Sequence, residues 1–273
     1  MFISFVCRKG GNLVVKIVAE LDCHVHYYEG DKELLKTTID NSPYASKYMC
    51  YRSVNTELLM TEKDLDKNVR YFMIPFVLKE TNIEKANRGL FNFSDGKNEI
   101  IQFPLLGDSI EDYEHFHNFG GMKEHFLIHE REKYEERVRY YEYLANKCKI
   151  LLLHCKDSGR LEYIKKLRLE FPSMYIQVAH LGVNRKDIWE TMNLLKEFSG
   201  DDHVYYDIST VYDYDFIIES FPIVKNQILY GTDIPYVKIE DIERQRKFYM
   251  SNKNILDCMN VNARRLLSVI NYV

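Results

Sequence analysis

The stretch ELDCHVHYYEG, residues 20–30, decides how this chain is read. It follows the apolar run LVVKIVAEL (13–21), which reads as a buried strand, and sets His24 and His26 one residue apart at that strand's end. A strand sends residues i and i+2 to one face, so both imidazoles are expected to point into one small volume, where they can share a metal ion. Three further polar residues close separate apolar runs in the same way: His154 in LLLHCKDSG, His180 in MYIQVAHLG and Asp233 in QILYGTDIPY. Histidines kept only for packing have no reason to recur at the carboxyl ends of successive strands, whereas the residues of a shared site do.

The 273 residues are 46% hydrophobic and no Pro-, Gly- or Ser-rich stretch divides them, so a single domain over 1–273 is expected. No apolar run approaches the ~20 residues needed to span a bilayer, which argues against a membrane protein. The amino-terminal apolar residues precede their positive charges, the reverse of a secretory signal. Six cysteines without Cys-x-x-Cys spacing fit reduced thiols and a cytoplasmic setting. A net charge of −4 with mixed signs argues against nucleic acid as a partner.

Read for period, the chain alternates short apolar runs with amphipathic stretches. Strands are expected at 14–21, 69–77, 99–103, 121–125, 149–154, 174–180, 203–208 and 227–231. Helices are expected at 56–66, 82–91, 109–118, 130–147, 159–171, 186–198 and 213–220, with a final pair at 239–250 and 254–270. Such alternation implies a parallel sheet with right-handed crossovers. An α/β fold of the (β/α)8 TIM barrel type is preferred to an open doubly wound sheet, because only the barrel draws residues from every strand end to one face. The first residues suggest a short extra N-terminal strand turning at Gly10 and Gly11. Residues 27–57 read either as a lid over the site or as a helical excursion beside the barrel.

These motifs resemble the amidohydrolase superfamily, specifically its amidohydrolase-2 branch of metal-dependent barrel hydrolases. The resemblance runs from Leu21 to about Leu267 and rests on Asp22-x-His24-x-His26, Gly121-x-Lys123-x-His125, His154, His180-Leu-Gly182, Asp207-x-Ser209, Gly231-Thr-Asp233-x-Pro235 and the terminal Asn262-Ala263-x-Arg265-Leu266. It implies that His24, His26, His154 and Asp233 bind one divalent metal ion, zinc first, with manganese, iron or cobalt as alternatives. It also implies that Asp233 exchanges a proton with a water activated by that ion, and that His180 polarises the substrate carbonyl or stabilises its oxyanion.

Lys123 and His125 share a face of their strand, with Glu124 on the other. Lys156, Arg160 and Arg185 follow the strands ending in His154 and His180. With Lys123 and His125 they are the candidate substrate-binding groups, suited to a carboxylate or phosphate on a small molecule. Solvated charge at a helix start is the competing account of Arg160 and Arg185. His115, His117 and His129 are assigned no metal role. The expected function is hydrolysis of a C–N or C–O bond in an amide, lactone or cyclic ester. The alternatives are nonoxidative decarboxylation of a small unsaturated or aromatic acid, which the same branch also performs, and a non-catalytic binding barrel. A homo-oligomer is compatible with the fold.

Overall fold

The computed structural model describes residues 7–9, 12–14, 17–114, 116–129, 133–155, 159–183 and 187–270. A short antiparallel hairpin of β1 (Cys7–Lys9) and β2 (Asn12–Val14) precedes the main sheet. The turn expected at Gly10 and Gly11 lies outside the described residues.

Eight parallel strands follow: β3 (Leu21–Tyr27), β4 (Arg70–Pro75), β5 (Ile100–Gln102), β6 (Gly121–His125), β7 (Ile150–His154), β8 (Tyr175–Val178), β9 (Val204–Asp207) and β10 (Ile228–Leu229). Strands β3 to β5 pair in sequence order, and so do β6 to β10. Backbone hydrogen bonds bridge both seams between these two groups. At one seam Gln102 N donates to Asn118 O at 2.8 Å and Lys123 N to Pro104 O at 2.8 Å. At the other, Cys23 N donates to Tyr230 O at 3.0 Å, Asp233 N to His24 O at 2.7 Å and His26 N to Ile234 O at 2.8 Å. The eight strands therefore form the α/β barrel expected from the sequence, and its closing seam runs through the His24/His26 segment.

Side chains alternate between two cores, as the period of a strand requires. Phe72, Ile74, Ile150 and Leu152 join a cluster inside the ring, while Tyr71, Met73, Leu151 and Leu153 join the larger cluster between strands and helices. The run ILLLH of β7 is almost continuously apolar because both of its faces are covered. Gly121 is required where β6 meets β7: a Cβ there would lie 1.9 Å from Ile150 O.

The covering helices are α1 (Lys32–Asn41), α2 (Met49–Ser53), α3 (Ile83–Ser94), α4 (Ile110–Tyr113), α5 (Phe126–His129), α6 (Tyr134–Asn146), α7 (Arg160–Glu170), α8 (Ile188–Glu197), α9 (Tyr214–Val224), α10 (Ile239–Ser251) and α11 (Lys253–Val269). Helix α11 underlies the ring: Ala263, Leu266 and Ile270 join the interior cluster, and Asn262 Nδ2 donates to Lys225 O and Ile228 O, each at 2.9 Å. No helix among the described residues is long and apolar enough to cross a membrane.

Three expectations are corrected. The first barrel strand begins at Leu21, so the histidine pair lies within it and not beyond its end. The helix expected at 56–66 is two single 3₁₀ turns, Thr56–Leu58 and Glu62–Asp64. There Asn55 Oδ1 accepts from Glu57 N and Asp64 Oδ2 from Thr61 N, local bonds that compete with a continuous helix. The helix expected at 109–118 is a single turn, α4. Of the two readings of 27–57, the helical excursion is found: α1 and α2 pack through Leu35 and Tyr51 against Phe76 and Leu78, and Glu80 accepts hydrogen bonds from Ser42 and Tyr51.

Candidate metal centre

The register of β3 against β4 explains how the histidine pair reaches the barrel axis. Asp22 pairs with Tyr71 and Val25 with Met73, so three steps along β3 match two along β4. This one-residue bulge shifts the alternation. Leu21 and Cys23 belong to the interior cluster, whereas Val25 belongs to the outer one. His24 and His26 are thereby turned inward with Cys23.

His24 Nε2 and His26 Nε2 lie 3.4 and 3.3 Å from Asp233 Oδ1. His24, His26 and Asp233 offer ligand atoms all within 4.8 Å of one another, and all three residues are buried. Their unused atoms are engaged. His26 Nδ1 donates to Pro75 O at 3.0 Å, and His24 Nδ1 donates to Asp207 Oδ2 at 3.0 Å. A carbonyl can only accept, and a carboxylate accepts when ionised, so both rings carry a proton on Nδ1, and Nε2 is the atom each presents to Asp233. That arrangement fits a divalent cation: two imidazoles with orientation set from behind, and one carboxylate.

A second close group, His24, His180 and Asp207, shares the first histidine. Asp207 is already saturated, accepting from His24, from Gln177 Nε2 at 2.8 Å, from His180 N at 3.1 Å and from Ser209 N at 3.1 Å. It works as a hub that orients the two histidines. Burial opposes its charge, but His24, His180 and Ser209 outweigh burial and hold the Asp207 carboxyl well below the usual range. Asp233 behaves alike: burial raises it, yet His24, His180 and His26 keep it below its ordinary value. Burial, with Lys123 adding to it, pushes His24 down to about 4, so the ring is neutral.

Asp233 sits in the left-handed region at φ 64, as do His180 (φ 57), Leu181 (φ 54) and Thr210 (φ 55). Four non-glycine residues held this way at one place mark a constrained loop cluster. Asp22 supplies part of the restraint, accepting from Thr232 N at 3.0 Å and Thr232 Oγ1 at 2.7 Å. Gly231 lets the strands approach: a Cβ there would lie 3.1 Å from that of His24.

The remaining candidates surround this centre. His154 is not in either close group; its ring stands edge-on between those of His125 and His180, with centroids 4.4 and 4.5 Å away. His180 Nδ1 donates to Ser209 O at 2.9 Å, and its ring stacks on that of His24 with centroids 5.0 Å apart. Lys123 is wholly buried inside the ring and donates from Nζ to His24 Nε2 at 3.2 Å; burial brings its ammonium down to about 8. His125 accepts at Nδ1 from Leu127 N at 3.2 Å. Arg160, 4% exposed, lines a small cavity together with His154 and His180, so the account of it as a solvated helix-start charge is corrected. Lys156, Arg185 and His115 lie outside the described residues. His129 is a structural group: Nε2 donates to Leu106 O at 3.0 Å and Nδ1 accepts from His125 N at 3.0 Å.

Asp207, Gln177 and the Pro75 carbonyl were missed as positioning groups. Asp207 had a visible signal, a polar residue closing the apolar run of β9. Gln177 and Pro75 had none, because their partners are set by strand pairing.

No family model and no curated protein matches this sequence. Solved structures do match. Amidohydrolase 2 from Bifidobacterium longum subsp. infantis is similar over 91% of this chain and 98% of its own, with a TM-score of 0.61 and 14% identity. An amidohydrolase from Burkholderia multivorans with bound zinc covers 92% of this chain and 99% of its own, at TM-score 0.61 and 10% identity. A 5-carboxyvanillate decarboxylase from Sphingomonas paucimobilis covers 92% and 99%, at TM-score 0.60 and 10% identity. Likeness at this level of identity carries the fold, and by it the chain has the barrel of the amidohydrolase structures.

Proposed function

We propose that this protein is an enzyme of the amidohydrolase type that hydrolyses a C–N or C–O bond of a small molecule at one divalent metal ion. The observation that carries the reading is the meeting of His24 Nε2, His26 Nε2 and Asp233 Oδ1 with both Nδ1 atoms engaged from behind. His24, His26 and Asp233 would hold the ion, with His154 as the fourth group from β7. Bound there, a divalent cation lowers the pKa of water toward neutrality and polarises a carbonyl. Zinc suits two or three imidazoles and a carboxylate, and the similar Burkholderia structure contains it.

The chain's own residues supply the rest. Asp233 is ionised and can take a proton from the attacking water and pass it to the leaving group. His180, oriented through Nδ1 by Ser209 O and packed edge-on against the ring of His154, would act on the substrate through Nε2. Lys123 places a buried cation beside His24 and steadies negative charge developing there. A decarboxylase on the same residues is the second reading, favoured by the similarity to 5-carboxyvanillate decarboxylase.

The test is elemental analysis of metal-replete protein, followed by a panel of lactones, cyclic esters and amides beside a carbon dioxide release assay on unsaturated and aromatic acids. One ion per chain with turnover on the ester or amide panel supports hydrolysis; carbon dioxide release alone supports the second reading. Failure to retain any transition ion overturns both.

A further inference from the structure

Tyr236 stands shortly after Asp233 on the segment that follows β10, and its side chain reaches across the closing seam of the ring. Its hydroxyl makes two bonds to the backbone just beyond β4, donating to Val77 O at 2.6 Å and accepting from Val77 N at 3.0 Å. Val77 is 1% exposed, so no water is at hand to replace that hydroxyl. At its other end, Tyr236 N donates to Asp233 O at 2.7 Å and closes the turn that carries the carboxylate. The aromatic ring stacks on Phe76, with centroids 4.6 Å apart and planes within 6° of parallel. It meets the ring of His26 at 89°, with centroids 4.9 Å apart.

Two ligands from opposite ends of the chain are thereby tied to one short piece of backbone. Pro75 O accepts from His26 Nδ1 and fixes one edge of that imidazole, but a single hydrogen bond leaves the ring free to rock about it. Tyr236, packed at a right angle to His26 and itself held flat on Phe76, removes that freedom. Through Val77 the same residue anchors the Asp233 turn to the end of the strand whose last carbonyl aims His26. We propose that Tyr236 is a positioning residue of the metal centre, setting the separation and angle between His26 and Asp233 and with them the affinity and coordination geometry of the ion. This inference rests on the metal-site reading.

Tyr51 provides a control for a purely structural role. It belongs to the cluster that holds Phe76, accepts from Lys79 N at 3.0 Å and donates to Glu80, and its hydroxyl bonds neither to the three ligands nor to the Asp233 turn. The test uses the full chain and the variants Tyr236→Phe, Tyr236→Leu and Tyr51→Phe. Each is stripped with a chelator and titrated with zinc against a fluorescent chelator, then with cobalt(II) for its visible absorption spectrum, beside urea unfolding of the metal-free protein. Tyr236→Phe keeps the ring and loses both hydroxyl bonds, so zinc affinity should fall about tenfold and the cobalt bands should shift. Tyr236→Leu also loses the packing on His26 and should fall further, toward about 100-fold. Tyr51→Phe should lower stability like Tyr236→Phe yet leave zinc affinity and the cobalt spectrum unchanged. The proposal is overturned if the Tyr236 variants bind zinc as the unchanged protein does with the same cobalt spectrum, or if Tyr51→Phe reproduces their loss, since affinity would then follow stability alone. Tyr236→Phe decides the matter if Tyr236→Leu does not fold. Unchanged protein that takes up neither ion removes the metal reading and this inference with it, whereas unchanged protein that binds zinc no better than its Tyr236 variants removes the inference alone.

Discussion

His24 touches every charged group that matters at the centre: Asp207 at Nδ1, with Asp233 and Lys123 at Nε2. Its orientation is therefore set by Asp207, and Asp207→Asn should weaken zinc affinity about 10–100-fold while leaving the ligands in place, the usual cost of losing a group behind a metal-bound histidine. Competition against a fluorescent chelator measures this; an unchanged affinity would remove Asp207 from the role. Asp233→Asn should lower kcat by at least ~10³-fold with metal still bound, read by activity beside elemental analysis. At this scale the sequence was informative. His24, His26, His180 and Asp233 close apolar runs, a pattern visible without coordinates. The depth of Arg160 was not visible, because the turn at Gly159, which decides where the guanidinium goes, leaves no periodic trace.

Among elements, β3 and β6 show what strand pairing adds to sequence. The alternation Gly121, Lys123, His125 inward and Met122, Glu124 outward is legible from period alone, and β6 has the bounds expected for it. The bulge in β3 is not legible, since an extra residue against β4 belongs to the pair of strands and not to either one. Similarly, the expected helices at 56–66 and 109–118 shrank to single turns because local capping bonds and burial against the barrel outweighed an amphipathic pattern. Gly121→Ala should prevent β6 from pairing with β7, with loss of soluble folded protein or a drop in Tm of many degrees, since the added methyl meets the Ile150 carbonyl oxygen. An unshifted melting curve would contradict the placement of that strand. In α11, Leu266→Ala should cost about 2–5 kcal/mol in urea denaturation, because Leu266 is fully buried under the ring.

For the whole molecule, the buried neutral histidines make stability depend on pH. His129 is a clean reporter because both ring nitrogens bond inside the fold, away from the ligands, and burial pushes it down to about 4. A histidine with a lowered folded pKa binds fewer protons in the native state than in the unfolded one. Its contribution is thus complete above the ordinary value near 6.5 and is lost as pH falls toward 4. The stability difference between the protein and His129→Gln, both measured metal-free by urea unfolding, should shrink by about 2–3 kcal/mol between pH 7 and pH 4. A difference constant across that range would show that His129 is not held neutral.

The His24/His26 pair stands on the first strand of the ring and Asp233 follows the last, and they meet across its closing seam. A nascent chain that has emerged as far as β9 therefore possesses the two imidazoles without their carboxylate, and the proposed three-residue cation site would be complete only once the segment after β10 has been made. If the proposed site takes zinc, loading is a timestamp for completion of the ring, and a carboxy-terminal truncation that removes Asp233 while sparing every histidine should forfeit the ion.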